Sequence, residues 1–236
     1  MSLHIGVGED GTLVQFSPDV VHGIERRWYL DQVRPFLENP DSIGPALVAR
    51  HFPRVWRSMD RDRWQALRLE YGILELMPGT LGHEWSLFPL HLHRGPRRTP
   101  FSAVIEILNG HGGVFMQRVG SFDRVQEASV VWVRHGDQLL LPPGHGHMVM
   151  NSGPDPLVVA EVHSSDTVAE FDEWARHRGA AYYFGPQGVR ANPHYRGVPA
   201  LKEIPAENMT PPNPGGHDLY QGIMARPERF HFLHPY

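Results

Sequence analysis

The chain has no cysteine. Disulfides, thiolate metal sites and cysteine redox chemistry are therefore excluded, and the absence suits a cytoplasmic location. Long hydrophobic runs are also missing. The apolar stretches are short, such as LVVA at 157–160 and LLLP at 139–142, well below the roughly 20 residues of a membrane-spanning helix. The first residues, MSLHIGVGEDG, have neither a basic region nor an apolar core, so no secretory signal is read there. Nor is there an excess of basic residues. Against 22 Lys and Arg stand 26 Asp and Glu, a net charge of −4. A nucleic-acid binder needs a basic surface. Neither a nucleic acid nor a membrane is expected as a partner.

What remains is a chain of 236 residues, 41% hydrophobic. That is enough for one sizeable domain with extensions. Histidine stands out, with 16 scattered copies and no terminal run. It is a common metal ligand and acid/base group near neutral pH.

The texture of the sequence divides it into three regions. Residues 1–70 read as a helical or irregular extension packed on the central β-rich region, with helical signal over 24–34 and 45–69. From 71 to 165, eight short β-prone runs recur at about ten-residue spacing between Gly and Pro turns. They include GILELMPG, EWSLFPLHLH, FSAVIEILNG and LVVAEVHSS. This pattern predicts an all-β barrel or sandwich. Residues 166–236 begin with DTVAEFDEWARHR, read as a peripheral helix capped by Asp166. A Pro- and Gly-rich extended tail runs on from 192.

The chemistry gathers in two motifs. HLH places His91 and His93 on one face of a strand, because residues i and i+2 point the same way. Downstream, GDQLLLPPGHGHMVMN sets Gly136, Pro142, Gly144, His147 and Asn151 at fixed spacing. Three imidazoles on neighbouring strands make a rigid triad around one divalent metal and leave positions open for substrate. Iron, zinc, manganese and nickel all suit such ligands.

These two motifs resemble those of the cupin superfamily. Blocks including LMPGTLGHEWSLFPLHLH, ILNGHGGVFMQ, LLLPPGHGHMVMNSGPDPLVVAEVHSSD and ANPHY resemble the cupin-type phosphoglucose isomerases over about residues 71–195. The resemblance implies a double-stranded β-helix (jelly-roll) barrel, one divalent metal, a homodimer and interconversion of glucose 6-phosphate with fructose 6-phosphate. It assigns His91, His93 and His147 as ligands. The family's glutamate ligand falls on Ala103 here. Glu106, three residues on, faces the other way in a regular strand. The positions that hold the sugar phosphate in the family fall on Phe88, Leu90, Leu74 and His163. Three of these are bulky and apolar, so the pocket is expected to grip a phosphate poorly. Arg94, Arg97 and Arg98 of RGPRRTP read as solvated loop charges.

Glu161, His163 and His145 share the parity of inward positions and are the expected acid/base groups, with Glu84 a weaker candidate. Phe88, Leu90 and Leu74 are the expected substrate contacts. The leading expectation is a metal-dependent isomerase acting on a small polar substrate. A site of three histidines without a carboxylate also resembles the iron sites of cupin dioxygenases. A third reading is a cupin that binds a small ligand without turnover.

Overall fold

The computed structural model describes residues 3, 5–7, 14–121, 123–213 and 217–234. Most of the N-terminal stretch 1–11, residues 214–216 of the tail and the last two residues of RFHFLHPY lie outside them. The core is two sheets, antiparallel except where the last strand joins the second. The first contains β1 (Arg26–Tyr29), β2 (Leu47–Phe52), β3 (Leu69–Leu76), β5 (Ala103–Asn109), β8 (Gln138–Leu141) and β10 (Leu157–Ser164), in the order β8-β5-β10-β3-β2-β1. The second contains β4 (Glu84–Arg94), β6 (His111–Ser121), β7 (Arg124–Arg134), β9 (His145–Asn151), β11 (Val168–Glu170) and β12 (Lys202–Glu203). Its order is β11-β4-β9-β6-β7-β12, and Thr80–Leu81 pairs with β4 off that path. Together they form the jelly-roll barrel. Among the described residues no helix is long and apolar enough to cross a membrane.

The first sheet is apolar on both faces, which explains why LVVAEVHS shows no clean alternation. On β10, Leu157 and Val159 enter the barrel core, while Val158, Ala160 and Val162 enter a second core on the outer face. On β3, Leu74 and Leu76 go inward, and Tyr71 and Ile73 go outward. The outer core is covered by the helix Arg61–Leu67, which contributes Trp64, and by the C-terminal helix Leu219–Ala225. Asp218 caps that helix, its carboxylate accepting from Gln221 N at 2.7 Å. The tail is thus fastened to its own barrel. It also adds β12, parallel to β7.

Two stretches with a helical pattern differ in the structure. Residues 24–34 give β1 followed by a single helical turn at Leu30–Val33, and 45–69 gives β2 before the helix Arg61–Leu67. Both strands extend the first sheet, with Arg26 opposite His51 and His51 opposite Leu74. In four to six residues, periods of 2 and 3.6 are hard to tell apart. Pairing at the sheet edge decides. Likewise, 166–178 opens as the edge strand β11, with the helix only at Asp172–Arg176. Asp166 is paired with Arg68 and caps no helix.

The second motif has a mechanical reading. Gly144 has φ +78°, a conformation that costs a side-chain-bearing residue free energy, and it turns the chain into β9. Asn151 closes the far end of β9, donating from Nδ2 to Leu76 O (3.0 Å) and Asp155 O (2.8 Å). Between them, His147 is held at a fixed depth inside the barrel.

Candidate metal centre

β4 and β9 are neighbours, and His91 lies directly opposite His147. Their ring centroids are 4.1 Å apart, with His93 5.5 Å from His91 and 5.4 Å from His147. The structure thus brings the three histidines together, all buried. His91 Nδ1 lies 2.9 Å from Pro89 O, so Nδ1 carries the proton and Nε2 presents its lone pair to the cluster.

The carboxylate comes from β10. Glu161 Oε1 lies 2.8 Å from His93 Nε2 and 3.3 Å from His147 Nε2. Ligand atoms of His91, His93, His147 and Glu161 all lie within 4.8 Å of one another. An ion with bonds of about 2.0–2.2 Å separates opposite ligands by roughly 4.2 Å, so this cluster could hold one. The donor chemistry fits as well, with three imidazoles and one carboxylate converging on a buried point. His93 Nδ1 is buried without a partner, so the cluster is not closed by protein hydrogen bonds alone. Burial opposes ionisation of Glu161, but electrostatic attraction to His93 and hydrogen bonds with His147 and His93 hold its carboxyl well below the usual range. Burial and the neighbouring His147 push His91 well down, keeping it neutral and able to ligate.

Ala103, the position at which the family resemblance expects a glutamate, lies opposite His163, and Ile105 lies opposite Glu161. The carboxylate therefore sits one strand over from the expected place. Glu161, expected as an acid/base group, stands with its Oε1 beside the ring nitrogens of His93 and His147. Glu106 is elsewhere. Its side chain accepts from Leu219 N (2.7 Å) and Gln138 Nε2 (3.0 Å), tying the C-terminal helix to the barrel.

A cavity of about 310 Å³ opens above the cluster. His163 lines it, its ring stacked on His93 at 4.5 Å. His163 Nδ1 lies 3.0 Å from Thr167 Oγ1 and 2.9 Å from Ser164 O, leaving Nε2 as its free ring nitrogen. Burial, with His93 adding to it, lowers its pKa. Phe88 and Leu74 line the cavity; Leu90 does not. Alternate residues of a strand face opposite ways, so Leu90 points away from the side of His91. Phe88 joins that side because the register shifts between His91 and Phe88, around Pro89, which has no N–H to pair. His145 is also absent from the cavity. It has the parity of His147, but it starts β9 at the rim, where its ring faces Glu127 at 3.4 Å.

The other candidates lie off the site. Arg94 and Arg98 pair with Glu170 at 3.3 Å and do not line the cavity. Glu84 is buried and accepts from Glu38 N at 2.8 Å. Burial raises its pKa from 4.5 to about 8. Between these values the unfolded chain releases this proton and the folded chain keeps it. Stability therefore falls as pH rises through that window, by up to about 1.4 kcal/mol per unit. Glu84→Gln removes this dependence. Urea unfolding at pH 5 and pH 8 is expected to show the variant gaining on the wild type at pH 8. An equal difference at the two pH values would contradict the assignment.

Sequence reasoning missed His51, Arg26, Trp28 and Phe171, all of which line the cavity. Phe171 stacks on His91 at 5.1 Å. His51 packs over Gly72, where a Cβ would come within 3.0 Å of its Nε2. Burial lowers its pKa to about 4 despite the pull of Glu161. The first three sit on β1 and β2, strands whose short pattern also fits a helix.

The family described as Glucose-6-phosphate isomerase (GPI) matches residues 51–196. That is more than half the chain. The chain belongs to this family. Strands β3 to β11 and the cluster of potential metal ligands lie within the matched span. Among curated proteins none matches. Among solved structures, vicilin from Corylus avellana (hazelnut) is 15% identical over 54% of this chain and 33% of its own, with TM-score 0.39. Oxalate decarboxylase from Bacillus subtilis is 18% identical over 52% of this chain and 28% of its own, with TM-score 0.38. The Lactobacillus farciminis oxalate decarboxylase formate complex is 19% identical over 52% and 31%, with TM-score 0.38. The chain spans about a third of the length of these structures.

Proposed function

We propose that the chain is a metal-dependent isomerase that shifts a proton between adjacent carbons of a small aldose or ketose. The observation carrying this reading is the position of Glu161 Oε1 between His93 and His147, beneath a cavity in a barrel of the isomerase family. It completes a set of three histidines and one carboxylate. Iron, zinc, manganese and nickel suit these donors. A bound divalent ion would supply Lewis-acid polarisation of the substrate's carbonyl and neighbouring hydroxyl oxygens.

The remaining work falls to the chain's own groups. The shift needs a base that takes a proton from one carbon and returns it to the next. His163 offers a free Nε2 beside His93, and burial favours its neutral, proton-accepting form. His51 faces the same cavity and is also neutral at pH 7. Trp28, Phe88 and Phe171 form an aromatic wall that limits water and packs against a sugar's C–H groups. The dioxygenase reading starts from a site without a carboxylate, and the place of Glu161 beside His93 and His147 supports the isomerase reading instead.

The test is the interconversion of fructose 6-phosphate and glucose 6-phosphate before and after chelation. Chelation is expected to lower the rate by at least about 100-fold, and one divalent ion is expected to restore it. A metal-loaded protein that turns over no aldose–ketose pair would overturn the reading. Oxygen uptake with iron would then favour the dioxygenase, and binding without turnover the non-catalytic cupin. The family relation also supports a homodimer, which light scattering checks as a mass of two chains.

A further inference from the structure

We propose that Arg26 is the anion anchor of this pocket, taking a terminal phosphate or carboxylate at the end of the substrate farthest from the metal cluster. The proposal rests on the isomerase reading for the reaction but not for binding.

Three of the four positions expected to hold a phosphate are apolar in this chain, and the fourth, His163, is stacked on His93 beside the cluster. Phe88 and Leu74 face the cavity and cannot donate hydrogen bonds, and Leu90 does not face it. Of the loop cations that could replace them, Arg94 and Arg98 are paired with Glu170, and Arg97 is exposed and does not line the cavity. On the N-terminal strands, Arg27 and Arg50 are both held by Glu25, and Arg50 also by Glu75. Arg26 differs. Its side chain lines the cavity, and among the described residues it makes no ion pair. A guanidinium forks onto phosphate or carboxylate with two parallel hydrogen bonds. Arg26 and Trp28 share a face of β1, so the same strand presents the cation and part of the aromatic wall.

The distances suit an elongated substrate. β1 lies three strand spacings from β10, which carries Glu161, a backbone separation of roughly 14 Å that the long arginine side chain shortens. An open-chain sugar with its reacting carbons at the cluster would direct its far end toward Arg26. Glu70 faces the same cavity from β3, opposite His163. It disfavours an anion on its own side and leaves the Arg26 side for the charge. Arg26 also lies outside the residues that match the family. The grip would therefore have moved from the barrel strands of the family to an N-terminal strand.

The experiment is calorimetric binding of sorbitol 6-phosphate, glucuronate and neutral sorbitol to the metal-loaded protein, in the wild type, Arg26→Ala and Arg26→Lys. None of these ligands needs to be turned over. At least one anion is expected to bind the wild type, and whether the phosphate or the carboxylate binds identifies its source. Arg26→Ala is expected to weaken that anion by roughly 30-fold, with sorbitol unchanged, and Arg26→Lys to recover part of the loss. Wild type that binds neither anion, or Arg26→Ala that weakens anion and sorbitol alike or neither, overturns the proposal. Anion binding that depends on Arg26 but comes without isomerisation upholds the anchor and overturns the isomerase reading alone.

Discussion

Glu161→Ala is expected to weaken metal binding by more than the roughly 10–100-fold that outer-shell changes cost. The reason is charge as much as contact. Three neutral imidazoles leave a divalent ion with its full charge, and Glu161 offsets one unit in a buried, low-dielectric space. Its Oε1 already stands 2.8 Å from His93 Nε2 and 3.3 Å from His147 Nε2. Removing it takes away the one anionic donor of the cluster. Glu161→Gln keeps one oxygen and the shape but loses the charge, and it is expected to fall between wild type and alanine. Competition with a chelator of known affinity measures the effect. His145→Ala is the matched control, because His145 lies at the rim beside Glu127, and its affinity is expected to be unchanged. Wild-type affinity in Glu161→Ala would sink the assignment of this carboxylate as a ligand.

Trp64→Ala is expected to cost about 3–5 kcal/mol of stability. Trp64 is fully buried and sits between Tyr71 of β3, at 5.7 Å, and Tyr220 of the C-terminal helix, at 5.2 Å. Tyr71 and Tyr220 are themselves 5.4 Å apart. The three rings join an early helix, the sheet and the tail on the outer face of the first sheet. Deleting the indole leaves a void that the two flanking elements cannot both close. For a chain of this size the melting temperature should fall by roughly 6–20 °C. The metal cluster lies on the inner face of that sheet, so metal content at 25 °C should be retained. Calorimetry with elemental analysis reads both quantities. An unchanged melting temperature would mean that the tail does not pack as described.

The sequence made some of this site legible and hid the rest for identifiable reasons. His91, His93 and His147 stand out because their spacing is local. One pair shares a strand face, and the third sits in a motif whose glycine and asparagine set the depth of β9. The β-rich barrel is readable from turn residues at regular intervals. Glu161 is visible as an inward-facing acid but not as a partner of the histidines. That relation depends on β10 pairing with β5 and β3, a register fixed only when distant strands meet. Glu106 draws attention because it lies near the expected position in sequence, yet its carboxylate reaches Leu219, a residue 113 positions away. His51, Arg26 and Trp28 are hidden in short stretches whose pattern fits a helix as well as an edge strand. Leu90, next to His91, faces away from the pocket by strand alternation alone, whereas Phe88 enters it only through the register shift around Pro89.

The most direct test of the account is a crystal structure of the metal-loaded protein, with the ion located by its anomalous signal. The account predicts one peak bound by His91, His93, His147 and Glu161, with ligand distances of about 2.0–2.2 Å. A peak bound by the three histidines with Glu161 turned away, or no peak at the cluster after loading, would contradict it.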